Sequence, residues 1–556
     1  MNTLPEKGCA PKSSLFPGPF LWTLAVALAV TAPFLFFGIP SGHDFEFHMN
    51  SWMEVVNQWH QGVPYPHWAA LAHYGYGEAR FLFYPPGSWL LGAILGLLLP
   101  WALVPAVYII VVLTLCGCAM FLLARGWMPR RDAIFAAAFY AANPYHMVVV
   151  YWRSAYAELL AAAVLPLLLL FTLKADEEGS AAVIPLSLVV AAAWLTNAPA
   201  AVMVNYSLVL IALVLAVYRR NWRTVGIAGV AVVLGAALAA FYIFPAAYEQ
   251  KWVNIAEVLA PGVRPADNFL FTTIADPDHN RFNLLVSIVA ILEIGILLVL
   301  SIFSRKSFGS QRNRWGMLVA WGTAASLLMF SITILGWDYL PKLKFIQLPW
   351  RWLLCLNLVL TLQLALAWPR WIARAGICLL MLFSLLFVGD HIQPPWWDQA
   401  RDIHLIEQDQ KSGRGYEGTD EYVPNGADAY DVDPQARKAT YESSGQARIH
   451  IYLWDAQSKL LSAAVTAPGN LAIKLFTFPA WHVQVNSISV TPGTREETGQ
   501  MLIPLQPGQN IIQITFKRTW DRTAGGVVSL GALLLTVFLW WRQNHSQASI
   551  LKSPQS

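Results

Sequence analysis

Charge and cysteine are scarce in this sequence. Asp, Glu, Lys and Arg make up 13% of its 556 residues against 56% hydrophobic residues, and the mean hydropathy is +0.47. The net charge of +4 is spread over loops, which leaves no basic face for nucleic acid. The five cysteines are Cys9, Cys116, Cys118, Cys355 and Cys378, and none lies in the polar stretch after Gly389. That distribution excludes a disulfide framework and a zinc site. Cys116 and Cys118 share one apolar run and read as packing residues. A P-loop, a dinucleotide fingerprint, a GxSxG elbow and an HExxH helix are all missing, so no nucleotide or redox cofactor is expected. No internal repeat of 20–50 residues is visible.

Apolar length is what the chain has in quantity. Runs fall at 20–38, 105–124, 132–149, 154–173, 181–197, 199–217, 224–246, 283–303, 315–335, 350–368, 372–389 and 524–541, with a shorter one at 87–101. Runs of this length read as membrane helices. The first follows Lys7 and Lys12 with no small-residue cleavage site, so it reads as a retained anchor.

Four connectors are basic: RGWMPRR at 125–131, RRNWR at 219–223, the stretch from Arg305 to Arg314, and PRWIAR at 369–374. Placing all four in the cytoplasm is consistent with alternating crossings and puts both termini inside. The run at 87–101, opened by Tyr84, Pro85 and Pro86, then begins and ends outside and reads as re-entrant or interfacial. The acidic connector 174–180 falls inside, which is tolerable because acidic residues carry little topological weight. Segments 39–86, 247–282, 336–349 and 390–523 fall outside.

Segment 390–523 differs in kind. ARIHIYL at 447–453, LAIKLFTF at 471–478, WHVQV at 481–485 and NIIQITF at 510–516 alternate apolar and polar residues between PGN and PG turns. This pattern predicts antiparallel strands. The expected architecture is a mainly α, multi-pass helical bundle of about twelve crossings with one re-entrant or interfacial helix. A small extracytoplasmic β-sandwich-like domain follows near the C-terminus. The predicted division is 1–389 membrane domain, 390–523 β-rich domain with an irregular 390–440, 524–541 last crossing, and 542–556 cytoplasmic tail.

The chemistry gathers at the outer helix ends. HDFEFH at 43–48 directly follows the first apolar run. Asp44 and Glu46 share one side if the segment is extended, and diverge by roughly 200° if it is helical. Either carboxylate is a candidate base, and together they are candidate ligands for a divalent cation such as Mg or Mn. His43 and His48 flank them. Charges beside hydrocarbon need a reason, and Arg153, Glu158, Glu249, Lys344 and Arg351 all fall at outer helix ends or loops, near Glu78 and Arg80. Cations there suit a phosphate headgroup, which Arg can bind bidentately. The predicted substrate-binding set is therefore His43, His48, Arg153, Glu158, Glu249, Lys344 and Arg351. DPDH at 276–279 resembles a metal loop but is also a common turn sequence.

An acidic pair in the first outer loop, YPP at 84–86 opening the next helix, and the Arg125 to Arg131 stretch closing the following one resemble the GT-C superfamily of membrane glycosyltransferases. The order of HDFEFH, YPP, RSAYAE at 153–158, FYIFP at 241–245, QLPWR at 347–351 and GYEGTDEY at 415–422 is similar to a bacterial group of membrane proteins labelled 6-pyruvoyl-tetrahydropterin-synthase-related. The three-histidine zinc site of the soluble synthase has no counterpart here. The superfamily resemblance implies sugar transfer on the outer face of a bacterial inner membrane. The donor would be a polyprenyl-phosphate-linked sugar and the acceptor a glycan, lipid or protein, with membrane lipids as further partners. It implies Asp44, then Glu46, as base or metal ligand. The DFE order, in place of adjacent acidic residues, leaves that choice open. The competing readings are a transporter or flippase for a lipid-linked glycan, and a non-catalytic envelope assembly protein.

Overall fold

The computed structural model describes residues 17–309, 312–367 and 370–550. Lys7, Cys9, Lys12 and Pro369 lie outside the described residues. Among the described residues nine helices are long and apolar enough to cross a membrane, and eleven if two bent pairs each count as one crossing. One of the nine, Tyr156–Thr196, runs for 41 residues. It turns back at Gly179, whose φ of 75° suits glycine. Tyr156–Ala162 packs against Val183–Thr196, a contact that a straight rod would forbid. Counted as two crossings, it brings the total to the expected twelve.

Pro86–Leu98 has 13 residues, about 20 Å of helix, and is too short to span about 30 Å of hydrocarbon. Pro86 supplies its helix-starting residue. Tyr84, just before it, packs on Phe47 at 4.7 Å. At its far end Trp101–Leu103 touches the helix Ala400–Ser412, which packs on Phe45–His60. Both ends therefore lie on one side, as the re-entrant or interfacial reading requires.

The four basic connectors meet at one end of the bundle. Arg314 pairs with Glu177 and lies over the Trp127 ring at 5.3 Å. Arg219 pairs with Asp176 at 3.2 Å, and Arg374 with Asp132 at 2.6 Å. Acidic residues of 174–180 thus neutralise arginines of two connectors. HDFEFH lies at the opposite end, one helix length away.

Apart from the short pair Ile39–Pro40 with Trp397–Asp398, the strands form two antiparallel sheets, a sandwich. Ala439–Glu442, Gly469–Phe476, Gln500–Leu505 and Gly493–Thr494 make one, in that order; Ala447–Trp454, Ser458–Val465, Gly508–Phe516, Trp481–Val485 and Ile488–Val490 make the other. Leu461, Leu471, Ile473, Met501, Ile512 and Ile514 fill the space between. Trp68 and Tyr76 of the segment 39–86 join this core, with Trp68 packed on Phe478 and Trp481 at 5.6 Å each. This segment and the sandwich are thereby one packed body.

The irregular connection expected over 390–440 is corrected in part. Ala400–Ser412 is a helix with a capping box between Gln399 and Asp402 and a terminating Gly413 at φ 70°. Its buried Ile403 and Gln410 face Phe45–His60, and Gln410 donates to Asn50 Oδ1 at 2.9 Å. Only that narrow face is apolar, so the helix does not stand out by composition.

Candidate functional site

Phe45–His60 is a helix with Asp44 at its N-cap position. The segment therefore takes the helical of the two alternatives, and Asp44 and Glu46 diverge. Asp44 turns inward and Glu46 stays exposed. Glu46 lies near Asp398 and Glu417; desolvation by the surrounding protein and then these like charges raise its carboxyl above the usual range.

Asp44 is fixed by the motif RSAYAE. Residues Val149–Arg153 form one π-helical turn that ends at Ser154 in the left-handed region, φ 52°. The Ser154 hydroxyl donates to the Pro40 carbonyl at 2.8 Å and accepts from the Gly42 N–H at 2.9 Å. A Cβ at position 42 would stand 2.3 Å from the Trp152 carbonyl oxygen, so only glycine fits. The Asp44 N–H donates to the Arg153 carbonyl at 2.9 Å. Two motifs more than 100 residues apart thus build one turn.

The side chains continue the link. Asp44 Oδ1 lies 2.9 Å from His43 Nδ1, and Oδ2 lies 3.6 Å from Arg153 Nη2. Arg153 Nη1 binds Glu158 Oε2, and Arg351 Nε donates to the same oxygen at 3.1 Å. The Tyr145 hydroxyl donates to Glu158 Oε1. Arg351 also donates to the Ile346 carbonyl at 2.7 Å and to Gln347 Oε1 at 3.1 Å. Trp350 lies 4.9 Å from the Arg153 guanidinium. Glu158 is buried and Arg153 nearly so, whereas Asp44 is 28% exposed and His43 84% exposed. The cluster opens to solvent through His43 and Asp44.

Burial favours the neutral form of Asp44, but the His43 hydrogen bond and the Arg153 charge outweigh it and hold the carboxyl well below its usual range. His43 is raised by the same contact. His48 is buried and pushed down to about 4, chiefly by desolvation, so it is neutral at physiological pH. It sits among Trp52, Tyr84 and Tyr156, with ring centroids at 5.8, 6.0 and 5.1 Å.

The structure thus gathers His43, Asp44, His48, Arg153, Glu158 and Arg351. It does not bring Glu249 to them: Arg522 grips that carboxylate with two bonds of 2.7 Å. Lys344 is exposed on the short helix Leu343–Ile346, whose last carbonyl accepts from Arg351. Glu78 and Arg80 form a separate buried pair with His73 and Thr419. DPDH caps a helix, Asp276 accepting from the N–H groups of Asp278 and His279. Tyr145, Ser154 and Trp350 belong to the site although charge alone did not mark them. Among the described residues no three His, Cys, Asp or Glu side chains are grouped as a metal site would need.

A family model described as 6-pyruvoyl-tetrahydropterin synthase related domain, membrane protein, matches residues 81–393, more than half of the chain. A search of curated proteins finds no match. Among solved structures the chain is similar to the oligosaccharyltransferase of Archaeoglobus fulgidus. In its apo form the identity is 12%, over 72% of this chain and 56% of that one, with a TM-score of 0.36. For its complex with Zn and sulfate the values are 14%, 72%, 53% and 0.29. The chain thus spans little more than half the length of that enzyme, and TM-scores this low carry nothing over to what it binds or does.

Proposed function

The chain belongs to the 6-pyruvoyl-tetrahydropterin-synthase-related family of membrane proteins, and from that premise we propose that it is a membrane glycosyltransferase. It moves a sugar from a polyprenyl-phosphate-linked donor to an acceptor on the outer face of a bacterial inner membrane. The basic connectors and both termini lie in the cytoplasm, following the rule that short basic loops stay inside. The observation that carries the reading is one carboxylate oxygen of Glu158 held by both Arg153 and Arg351, with Asp44 at the exposed edge of the pair.

Charge develops on the phosphate as the acceptor hydroxyl attacks the anomeric carbon and the bond from sugar to phosphate oxygen breaks. Two fixed guanidiniums stabilise that charge without rearranging. Glu158 keeps them together, since two buried arginines would otherwise repel. The proton of the attacking hydroxyl passes to Asp44. A carboxylate of low basicity suits a late transfer, once the glycosyl bond is largely broken and the hydroxyl has become acidic. A divalent cation, where one takes part, would be held by Asp44 and would supply further positive charge for the leaving phosphate. The sandwich, packed on the first outer loop, orients the acceptor.

The test is transfer by purified protein from a polyprenyl-phosphate sugar, with and without EDTA, alongside glycan profiling of a deletion strain complemented by Asp44→Ala. Transfer lost in the variant supports the reading. Normal transfer by an Asp44→Ala, Glu46→Ala double variant overturns it. Movement of intact lipid-linked sugar across vesicles without bond cleavage assigns a flippase instead.

A further inference from the structure

Glu293 lies in the membrane-spanning helix Pro277–Ser307 and is completely buried. Oε2 accepts from the Asn357 amide at 2.7 Å, whereas Oε1 has no partner. Glu293 lines a cavity with about 10 Å³ of water-sized space between this helix, Trp371–Ile392 and Pro144. That is room for at most a single water. Ser384 is the other polar side chain in the lining, and the rest, including Leu292 and Leu385, is apolar.

The ionisable groups on the elements packed against this helix are engaged elsewhere or stand at its ends. Arg351 holds Glu158, Arg374 holds Asp132 and Arg314 holds Glu177. His146 turns Nδ1 to the Ala141 carbonyl, Cys355 meets the Ser207 hydroxyl, and Cys378 lies on the face toward Arg374. Asp390 and His391 pair with each other near the far end of Trp371–Ile392, and Arg312 is exposed at the basic end. Among the described residues no cation is therefore available to neutralise a carboxylate at Glu293. An ionised, half-partnered carboxylate at this depth would bear the full loss of hydration.

We propose that Glu293 is a membrane-embedded proton-binding site: a carboxylic acid that carries its proton on Oε1, facing the cavity beside Ser384, and is reached from the lipid side. Both lining helices carry exposed apolar side chains on their outer faces, Ile291 and Leu382 among them, as a hydrocarbon-facing surface requires. Through Asn357 the site contacts the helix Pro349–Ala367, whose first turn carries Arg351. The proposal is independent of the glycosyltransferase reading.

The experiment uses the full chain in lipid vesicles. A lipid-soluble carbodiimide, dicyclohexylcarbodiimide, reacts with protonated carboxyl groups in apolar surroundings, and peptide mass spectrometry locates the adduct. The expected result is an adduct on Glu293 with the lipid-soluble reagent and none with a water-soluble carbodiimide. The isosteric Glu293→Gln variant removes the adduct. In parallel, infrared difference spectra between the two proteins show the carbonyl stretch of a protonated carboxylic acid only in the native chain. Carboxylate bands in place of the acid band overturn the proton site. Equal labelling by the water-soluble reagent overturns access from lipid.

Discussion

Asp44 is tied to Arg153 twice: its N–H donates to the Arg153 carbonyl at 2.9 Å, and its Oδ2 stands 3.6 Å from Arg153 Nη2. The backbone tie fixes where the carboxylate sits, and the side-chain tie fixes its charge. Asp44→Asn keeps the first and removes the second. Sugar transfer is expected to fall about 100-fold or more, in the range lost with a positioned acid–base group, while the melting temperature stays near that of the native protein. Glu46→Gln, at an exposed residue outside the cluster, is expected to leave transfer near normal. Equal losses in the two variants would point to general acidity of the loop rather than to Asp44.

Glu158 neutralises two buried arginines with one carboxylate. Glu158→Gln keeps the shape and leaves both guanidiniums underpaired. Removing one partner of a buried ion pair costs about 3–5 kcal/mol, so the variant is expected to melt well below the native protein in detergent. A loss under about 1 kcal/mol, the scale of a surface pair, would mean that water already solvates the cluster.

Glu78 provides a pH-dependent tie between the segment 39–86 and the one that leads into the sandwich. Its oxygens receive Arg80 Nε at 2.5 Å, His73 Nε2 at 2.9 Å and the Thr419 N–H at 2.8 Å. Burial opposes ionisation, but Arg80, His73 and Thr419 together hold the carboxyl down to about 2, from 4.5. The depressed value means the folded state favours the carboxylate. That stability is complete above about pH 4.5 and is lost as pH falls toward 2, worth about 3 kcal/mol in all. Melting temperature against pH should decline through this window in the native chain. Glu78→Gln should be less stable at neutral pH, with a flatter profile; equal slopes in the two proteins would remove Glu78 from this role.

Much of this architecture is legible in the order of residues, and the limits have physical causes. Apolar runs mark crossings because hydrocarbon admits few polar side chains, and alternation marks four of the strands. The helix Ala400–Ser412 escapes because its apolar face is narrow. The Asp44 to Glu46 spacing depends on backbone conformation, which two acidic residues do not set. Arg153 and Glu158 are readable as neighbours, but the second arginine on Glu158 comes from position 351, a closure made only by packing. Glu249 shows the converse: a carboxylate at a helix end has the same local sequence whether it faces substrate or, as here, Arg522 far along the chain. GYEGTDEY, the last motif in the family-like order, is in part structural: Tyr416 donates to Glu54 at 3.1 Å and Thr419 to Glu78.

The last helix acts as a splint on a broken crossing. Arg223–Leu238 and Ala240–Trp252 meet at 76°. The bend separates backbone groups that a straight helix would join, and Ser529 joins them: it accepts from the Phe241 N–H at 2.8 Å and donates to the Ala237 carbonyl at 3.1 Å. A Cβ on Gly525 would come within 2.6 Å of the Ala240 carbonyl oxygen, so the close approach also needs glycine. The bent segment presents Tyr242, whose hydroxyl donates to the Phe83 carbonyl at 2.7 Å, directly before Tyr84 and the candidate site. Ser529→Ala strands a half-buried N–H and is expected to destabilise the protein by about 1 kcal/mol, with Ser529→Thr recovering most of it because it keeps the hydroxyl. Gly525→Val is expected to push the last helix away and to lower transfer as well as stability. The deciding measurement is thermal unfolding of Ser529→Ala beside Ser529→Thr: if the two melt together at the native temperature, the bend holds itself and the final helix is only an anchor.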